Sequence, residues 1–382
     1  MKKKLVAVAV AGVLAAPLAA QAQTANVTLY GRLNVDLEFV NGRQPDGSNP
    51  TVSRLSSNSS RFGVRGTEAL GGGLSAIFQI ESSINGDTNS GNLGGRETFV
   101  GFQGPWGTFK MGHFLMPLDD MHPIFGNVPT YTTSILSTAD IWAQGTLSKA
   151  DGGFDARLGN SLRYDSPSFA GLTFSGQVAL RDGSGATGAN TGNHTEELRH
   201  AYSWGGNAIY NNGPIQVGLG LEGNQKVRGP DLNDYDITLT GGYNFGVARV
   251  ALLYERLKYD TPTGDLKRDM WGISGTIPMG PGTWYAFWGH AGNGKGSACD
   301  INDADCTRAL GAVGGLAKGS DTSTDQWEIS YTYPFSKRTS VYAGYVKLDN
   351  DSNASYTFNI NAYPIAVGGK PGGFVLGMIH LF

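Results

Sequence analysis

The chain has 382 residues, 57 of them glycine, with 16% charged residues and a formal charge of −3. Glycine at about twice ordinary usage has no fixed short repeat behind it, which excludes collagen-like and simple solenoid architectures. No basic excess marks a nucleic-acid footprint, so no nucleic-acid partner is expected.

In chain order, residues 1–22 read as a secretory signal peptide. Lys2, Lys3 and Lys4 form a positive start, residues 5–18 an apolar core, and Ala20, Gln21 and Ala22 a small-x-small cleavage site. Loss of those three lysines takes the charge from −3 to −6 and leaves a mildly acidic mature chain, residues 23–382. Beyond the leader no apolar run approaches the ~18 residues of a spanning helix.

The next stretch, NVTLYGRLNVDLEF at 26–39, alternates strictly. Val27, Leu29, Gly31, Leu33, Val35, Leu37 and Phe39 share one side; Asn26, Thr28, Tyr30, Arg32, Asn34, Asp36 and Glu38 share the other. Period two means a strand with an oily face and a charged face, because a helix would spread these apolar residues around its circumference. The pattern recurs from Leu172 to Leu180, Ile215 to Glu222, Tyr235 to Phe245 and Gln326 to Tyr333.

Connections alternate in kind. Short ones fall at 68–73, 104–107, 169–171, 211–214, 278–282 and 334–338; long polar ones at 41–57, 85–95, 183–196, 223–232, 260–266, 291–323 and 350–371. That is the pattern of hairpins with tight turns at one rim and variable loops at the other, with about 16 strands predicted over the mature length.

Arg32, Asp36, Glu38, Arg61, Arg65, Glu81, Arg157 and Arg163 fall on polar strand faces. An arginine facing lipid near the midplane costs ~2–4 kcal/mol, so these side chains must face a wet interior. The aliphatic face then meets lipid, and the sheet must close because lipid cannot satisfy an open edge. Cys299 and Cys306, in an exported chain, are expected to form a disulfide stapling a loop. The DINDAD between them lacks the spacing and glycine of a calcium loop.

A secreted β-rich hydrolase is the rival class. Asp119 with Asp120, or Asp87 with Glu97, are nominal paired carboxylates. No nucleophile elbow, HExxH or phosphate loop accompanies them, so no enzyme activity and no cofactor are expected. A barrel serving as receptor or adhesin would call for a plug, and no plug domain is read ahead of the first strand.

Several segments together carry a family likeness: LYGRLNVDLE at 29–38, SSRFGVRGTEALGGGLSAIFQIE at 59–81, RETFVGFQGPWGTFKMG at 96–112, NSLRYDSPSFAGLTFSG at 160–176, YPFSKRTSVYAGYVKLDN at 333–350 and the terminal GMIHLF. In this order the chain resembles the trimeric general porins of Gram-negative outer membranes, especially their beta-proteobacterial branch. The resemblance implies an all-β fold, a 16-stranded antiparallel transmembrane β-barrel with a long third loop folded into the lumen. It implies a homotrimer in outer-membrane lipid, each subunit a water-filled channel for passive diffusion of ions and small hydrophilic solutes. A substrate-specific channel of the same fold, with a saturable binding site, is the closest alternative. Phe382, with Met378 and Leu376 at matching parity, resembles the C-terminal signal read by the barrel-assembly machinery.

The resemblance places the constriction loop at about residues 113–155, too long for an idle connection. It assigns Arg61, Arg96 and Arg157 to a wall cluster, Arg32 to a further basic wall position, and Asp119 and Asp120 to the facing loop, with Asp140 behind them. Opposed fixed charges across a narrow wet gap orient water and draw ions of either sign along separate tracks. Three or four arginines against two or three acids imply a weak anion preference. His113 and His122 flank the loop acids without a defined ligand geometry, so no metal is assigned. Trp106, Phe109, Phe114 and Phe125 read as interface or loop packing, and Tyr131 and Trp142 as candidates for stacking a sugar.

Overall fold

The computed structural model describes residues 26–88, 90–126, 134–142, 153–180 and 201–382. The expected leader, residues 1–22, and Tyr131 lie outside them.

The backbone ladder is a ring. β1 (Asn26–Arg43) pairs with β2 (Arg61–Gly71), and β3 (Leu74–Asn85), β4 (Thr98–Gly104), β5 (Gly107–Leu115) and β6 (Arg157–Asp165) follow in order. β7 (Leu172–Leu180), β8 (Tyr202–Asn212), β9 (Ile215–Gln225), β10 (Asn233–Asn244) and β11 (Arg249–Thr261) continue it. β12 (Gly264–Met279), β13 (Gly282–Ala291), β14 (Thr324–Pro334) and β15 (Thr339–Asn350) lead to β16 (Lys370–Leu381). β16 pairs back onto β1 from Arg32↔Leu381 to Arg43↔Lys370. Thr51–Ser57 and Ser90–Asn92 are short outer additions to the ladder, on β1 and β3. The result is a closed 16-stranded antiparallel barrel, the form that leaves no unpaired edge in lipid.

The seam is finished by the last residue. Gly31 N–H donates to Phe382 O at 2.9 Å and Phe382 N–H to Gly31 O at 3.1 Å. A Cβ on Gly31 would lie 2.1 Å from the Phe382 ring, so a glycine here makes room for the terminal side chain.

The outer face follows the period-two reading. In β9, Ile215, Val217, Leu219 and Leu221 are exposed while Gly218, Gly220 and Glu222 between them are buried. Aromatic pairs gather near the short-turn rim: Tyr243–Phe245 at 4.7 Å, Trp284–Tyr331 at 4.9 Å and Tyr333–Phe335 at 5.2 Å between ring centres. Rings with an apolar body and a polar tip suit the headgroup level of a bilayer.

Two features depart from the sequence expectation. Residues 260–266, expected as a long loop, are a tight hairpin in which Asp260 pairs Asp265 and Thr261 pairs Gly264. Pro262 sits at the tip, where no ladder N–H is required of it. The face turned away from lipid is also not uniformly polar. Leu253, Leu257, Tyr259, Leu266, Met270, Phe287, Val346 and Leu348, from β11, β12, β13 and β15, join one buried apolar cluster. The same cluster takes Leu118, Met121, Phe125, Leu136, Trp142 and Phe154 from the third outer connection, and Tyr356, Phe358 and Tyr363 from the last. Ordering a residue's backbone costs roughly 1–2 kcal/mol, and burial at about 25 cal/mol per Å² of apolar surface is what offsets it here.

Candidate pore constriction

The basic half of the site is built across β1, β2 and β3. Cross-strand register sets Tyr30 opposite Gly63 and Gly63 opposite Glu81. A Cβ on Gly63 would sit 2.5 Å from the Tyr30 ring, so the missing side chain lets the Tyr30 hydroxyl reach across to donate to Glu81 Oε2 at 3.0 Å. Arg96 Nε donates to Glu81 Oε1 at 2.6 Å, and Arg61 Nε lies 3.5 Å from Oε2. Backbone bonds between Glu81 and the Arg96–Glu97 pair hold that approach in register. Arg32 stands opposite Arg61. Arg157, at the start of β6, has Arg96, Glu97, Asp119 and Glu81 as charged neighbours. The structure thus gathers Arg61 and Arg96 on one carboxylate, with Arg157 near Arg96 and Arg32 opposite Arg61. Arg65 is exposed instead, its guanidinium 5.0 Å over the Tyr30 ring.

The acidic half divides. Asp119 and Asp120 follow one another on the 3-10 turn Pro117–Met121, where successive side chains point about 120° apart. Asp120 turns to the wall: it pairs with Arg163 at 2.5 Å and accepts from Asn207 Nδ2 at 2.9 Å. Arg163 is itself held by Asp165 at 2.7 Å and donates to the Leu115 carbonyl at 3.2 Å. Burial holds the Asp120 carboxyl above the ordinary carboxylate range despite Arg163. Asp119 points the other way, towards Arg157, His122 and Asp155.

Asp140 takes no part in either group. It is fully buried, accepts from Gln326 Nε2 at 3.1 Å and from the Asn359 N–H at 2.7 Å, and burial pushes its carboxyl well above the usual range. Trp142 is also fully buried, its ring 4.0 Å from His122 and its Nε1 donating to Thr238 Oγ1 at 3.4 Å. No face of it is open to stack a sugar. Phe114 and Phe125 are buried in packing, whereas Trp106 is exposed beside Tyr164 at 6.3 Å. Of the nominal hydrolase pairs, Asp87 is an exposed rim residue, while Glu97 accepts from the Leu115 N–H at 3.4 Å. Cys299 and Cys306 are disulfide-bonded in the outer connection between β13 and β14, with Cα atoms 5.7 Å apart.

Sequence reasoning put Glu81 and Arg163 on polar faces but gave neither a part in the site. The signal lay in cross-strand register, Tyr30–Gly63–Glu81, which a single strand does not display.

The closed 16-stranded antiparallel barrel has counterparts among known proteins. Residues 7–353 match the Gram-negative porin family. The chain belongs to that family. Outer membrane porin protein 32 of Delftia acidovorans is 29% identical over 380 residues, covering 98% of this chain and 96% of the relative. Major outer membrane protein P.IB of Neisseria meningitidis is 30% identical over 364 residues, covering 92% and 95%. Among solved structures, an anion-selective porin from Comamonas acidovorans shares the fold with a TM-score of 0.71, at 24% identity, over 94% of this porin and all of that chain. The trimer form of in-vitro folded OmpT of Vibrio cholerae matches with a TM-score of 0.64 at 16% identity over 94% of this porin. The protein is an outer-membrane porin, a channel for passive diffusion. Its relatives are channels rather than enzymes.

Proposed function

We propose that the third outer connection, residues 113–155, enters the lumen and narrows it against the arginine group on β1, β2 and β6. Contacts of its described residues support this reading. Asp120 meets Arg163 and Asn207, Trp142 meets Thr238, and the Ser137 carbonyl accepts from Gln326 at 2.7 Å, all wall residues buried on the side away from lipid.

Ions then pass between Arg61, Arg96, Arg157 and Arg32 on one side and Asp119 on the other. The observation that carries the selectivity reading is the pairing of Asp120 with Arg163, which removes one acid from the balance. Glu81, Glu97 and Asp119 are left to face the four arginines, so the constriction favours anions weakly. The fold neighbour described as anion-selective agrees in sign. Assembly as a homotrimer is supported by the trimer form of a fold neighbour. A part for Phe382 in recognition by the barrel-assembly machinery is supported by its position at the closing seam. Lipid surrounds the aliphatic outer face. Residues 1–22 serve as the leader that directs export.

The test is a planar bilayer recording of the detergent-extracted protein under a salt gradient. Large ohmic steps closing in thirds and a reversal potential on the anion side are expected. A current that saturates with one solute would select the substrate-specific channel instead. Absence of conductance from folded protein would refute the open-pore reading.

A further inference from the structure

A group of donors lies beside the constriction, and two of its three residues, His122 and Asp155, have no part in ion passage. His122 Nε2 lies 2.8 Å from Asp155 Oδ2, and both side chains are buried. The other Asp155 oxygen, Oδ1, is buried with no hydrogen-bond partner among the described residues. Asp119 lies on the same side, partly exposed, and one donor atom from each of the three residues falls within 4.8 Å of the others. The Asp155 backbone is fixed by donation of its N–H to Glu222 Oε2 at 3.0 Å, and the His122 ring is braced by Trp142 at 4.0 Å.

We propose that Asp119, His122 and Asp155 form a binding site for a divalent transition cation, with Zn²⁺ as the natural occupant of its chemistry. A hydrogen bond between His122 and Asp155 needs neither Asp119 nor the second Asp155 oxygen. A cation uses all of them. One imidazole with two carboxylates suits zinc and its neighbours, whereas magnesium and calcium are served by oxygen alone. Tetrahedral bonds of 2.0–2.2 Å set donors about 3.4 Å apart, so the group contracts on binding. The fourth position stays open to water.

Binding joins the two ends of the third outer connection, the Pro117–Met121 turn and the segment leading into β6. It also neutralises Asp119, one of the acids facing Arg157, and so should raise the anion preference. The binding claim stands apart from the constriction reading; the effect on selectivity rests on it.

The experiment is equilibrium dialysis of EDTA-stripped, detergent-folded protein against ZnCl₂ over a Mg²⁺ background, read by elemental analysis. One zinc per chain is expected, with at least a tenfold loss of affinity in Asp119→Asn and in Asp155→Asn. Asp119→Asn leaves the His122–Asp155 bond intact, so folding is not at stake, and retained heat-modifiability checks it. Equal zinc uptake by the wild type and Asp119→Asn overturns the proposal. Reversal potentials with and without zinc separate the two readings. Zinc bound at the site without a shift towards anions keeps the site and refutes the constriction at Asp119.

Discussion

Glu81→Gln isolates the charge balance of the constriction while keeping side-chain size. Glu81 holds Arg96 at 2.6 Å and Arg61 at 3.5 Å, and accepts from Tyr30 at 3.0 Å. An ion touching those guanidinium groups comes within about 7 Å of the carboxylate, adding a hydrogen-bonded contact of roughly 3 Å to the longer ion-pair distance. At that range in water one unit charge contributes about 0.6 kcal/mol, and a Debye length of ~10 Å at 0.1 M salt reduces this by roughly half. Removing the charge lowers the anion barrier and raises the cation barrier by about 0.3 kcal/mol each, a shift of about threefold in the anion-to-cation permeability ratio. The glutamine retains an acceptor for Arg96 or Tyr30, and the barrel ladder does not depend on it. The assay is the reversal potential of single channels in a KCl gradient. Arg61→Ala should move it the opposite way. An unchanged potential in Glu81→Gln, or a shift towards cations, would refute the placing of the ion path beside this group.

Other outcomes follow from the same contacts. The Asp140 carboxyl is held above its ordinary value by burial, so the native state binds its proton more tightly than the unfolded chain. The stability linked to it is full below about pH 4, the ordinary carboxylate range, and is lost as pH rises through the raised native value. Acidification from neutral should therefore protect the third outer connection from proteolysis in the wild type, and Asp140→Asn should flatten that dependence. Phe358→Ala empties a side chain that is 1% exposed in the apolar cluster, costing about 3–5 kcal/mol of loop packing. It should increase open-channel noise and nicking of the outer connections while the barrel's melting temperature stays put. Reduction of Cys299–Cys306 releases a short loop worth about 2–3 kcal/mol by chain entropy. Heat-labile local structure is expected in that connection, read by hydrogen exchange, with conductance unchanged.

What could be read from the sequence is what a bilayer makes periodic. Lipid demands an apolar residue at every second position, so Val27 to Phe39 and Ile215 to Leu221 announced their outward faces. The inward face obeys no single solvent. Where it meets water it is charged, as at Arg61 and Glu81; where it meets a connection it is apolar, and the strand loses its alternation. Residues 251–259, ALLYERLKY, show this: Leu252 and Tyr254 are exposed, yet Ala251, Leu253, Leu257 and Tyr259 are buried on the other side. A strand apolar on both faces signals a second packing partner on the face away from lipid, and the same doubling at Met270–Trp271 marks the neighbouring strand. The partners within the site were harder, because pairing depends on register. Asp119 and Asp120 are adjacent in sequence and alike in charge, but a 3-10 turn sends one to Arg163 and the other towards His122 and Asp155. One residue's rotation thus ties Asp120 to the wall and leaves Asp119, the other acid, beside His122 and Asp155, where both proposals are tested.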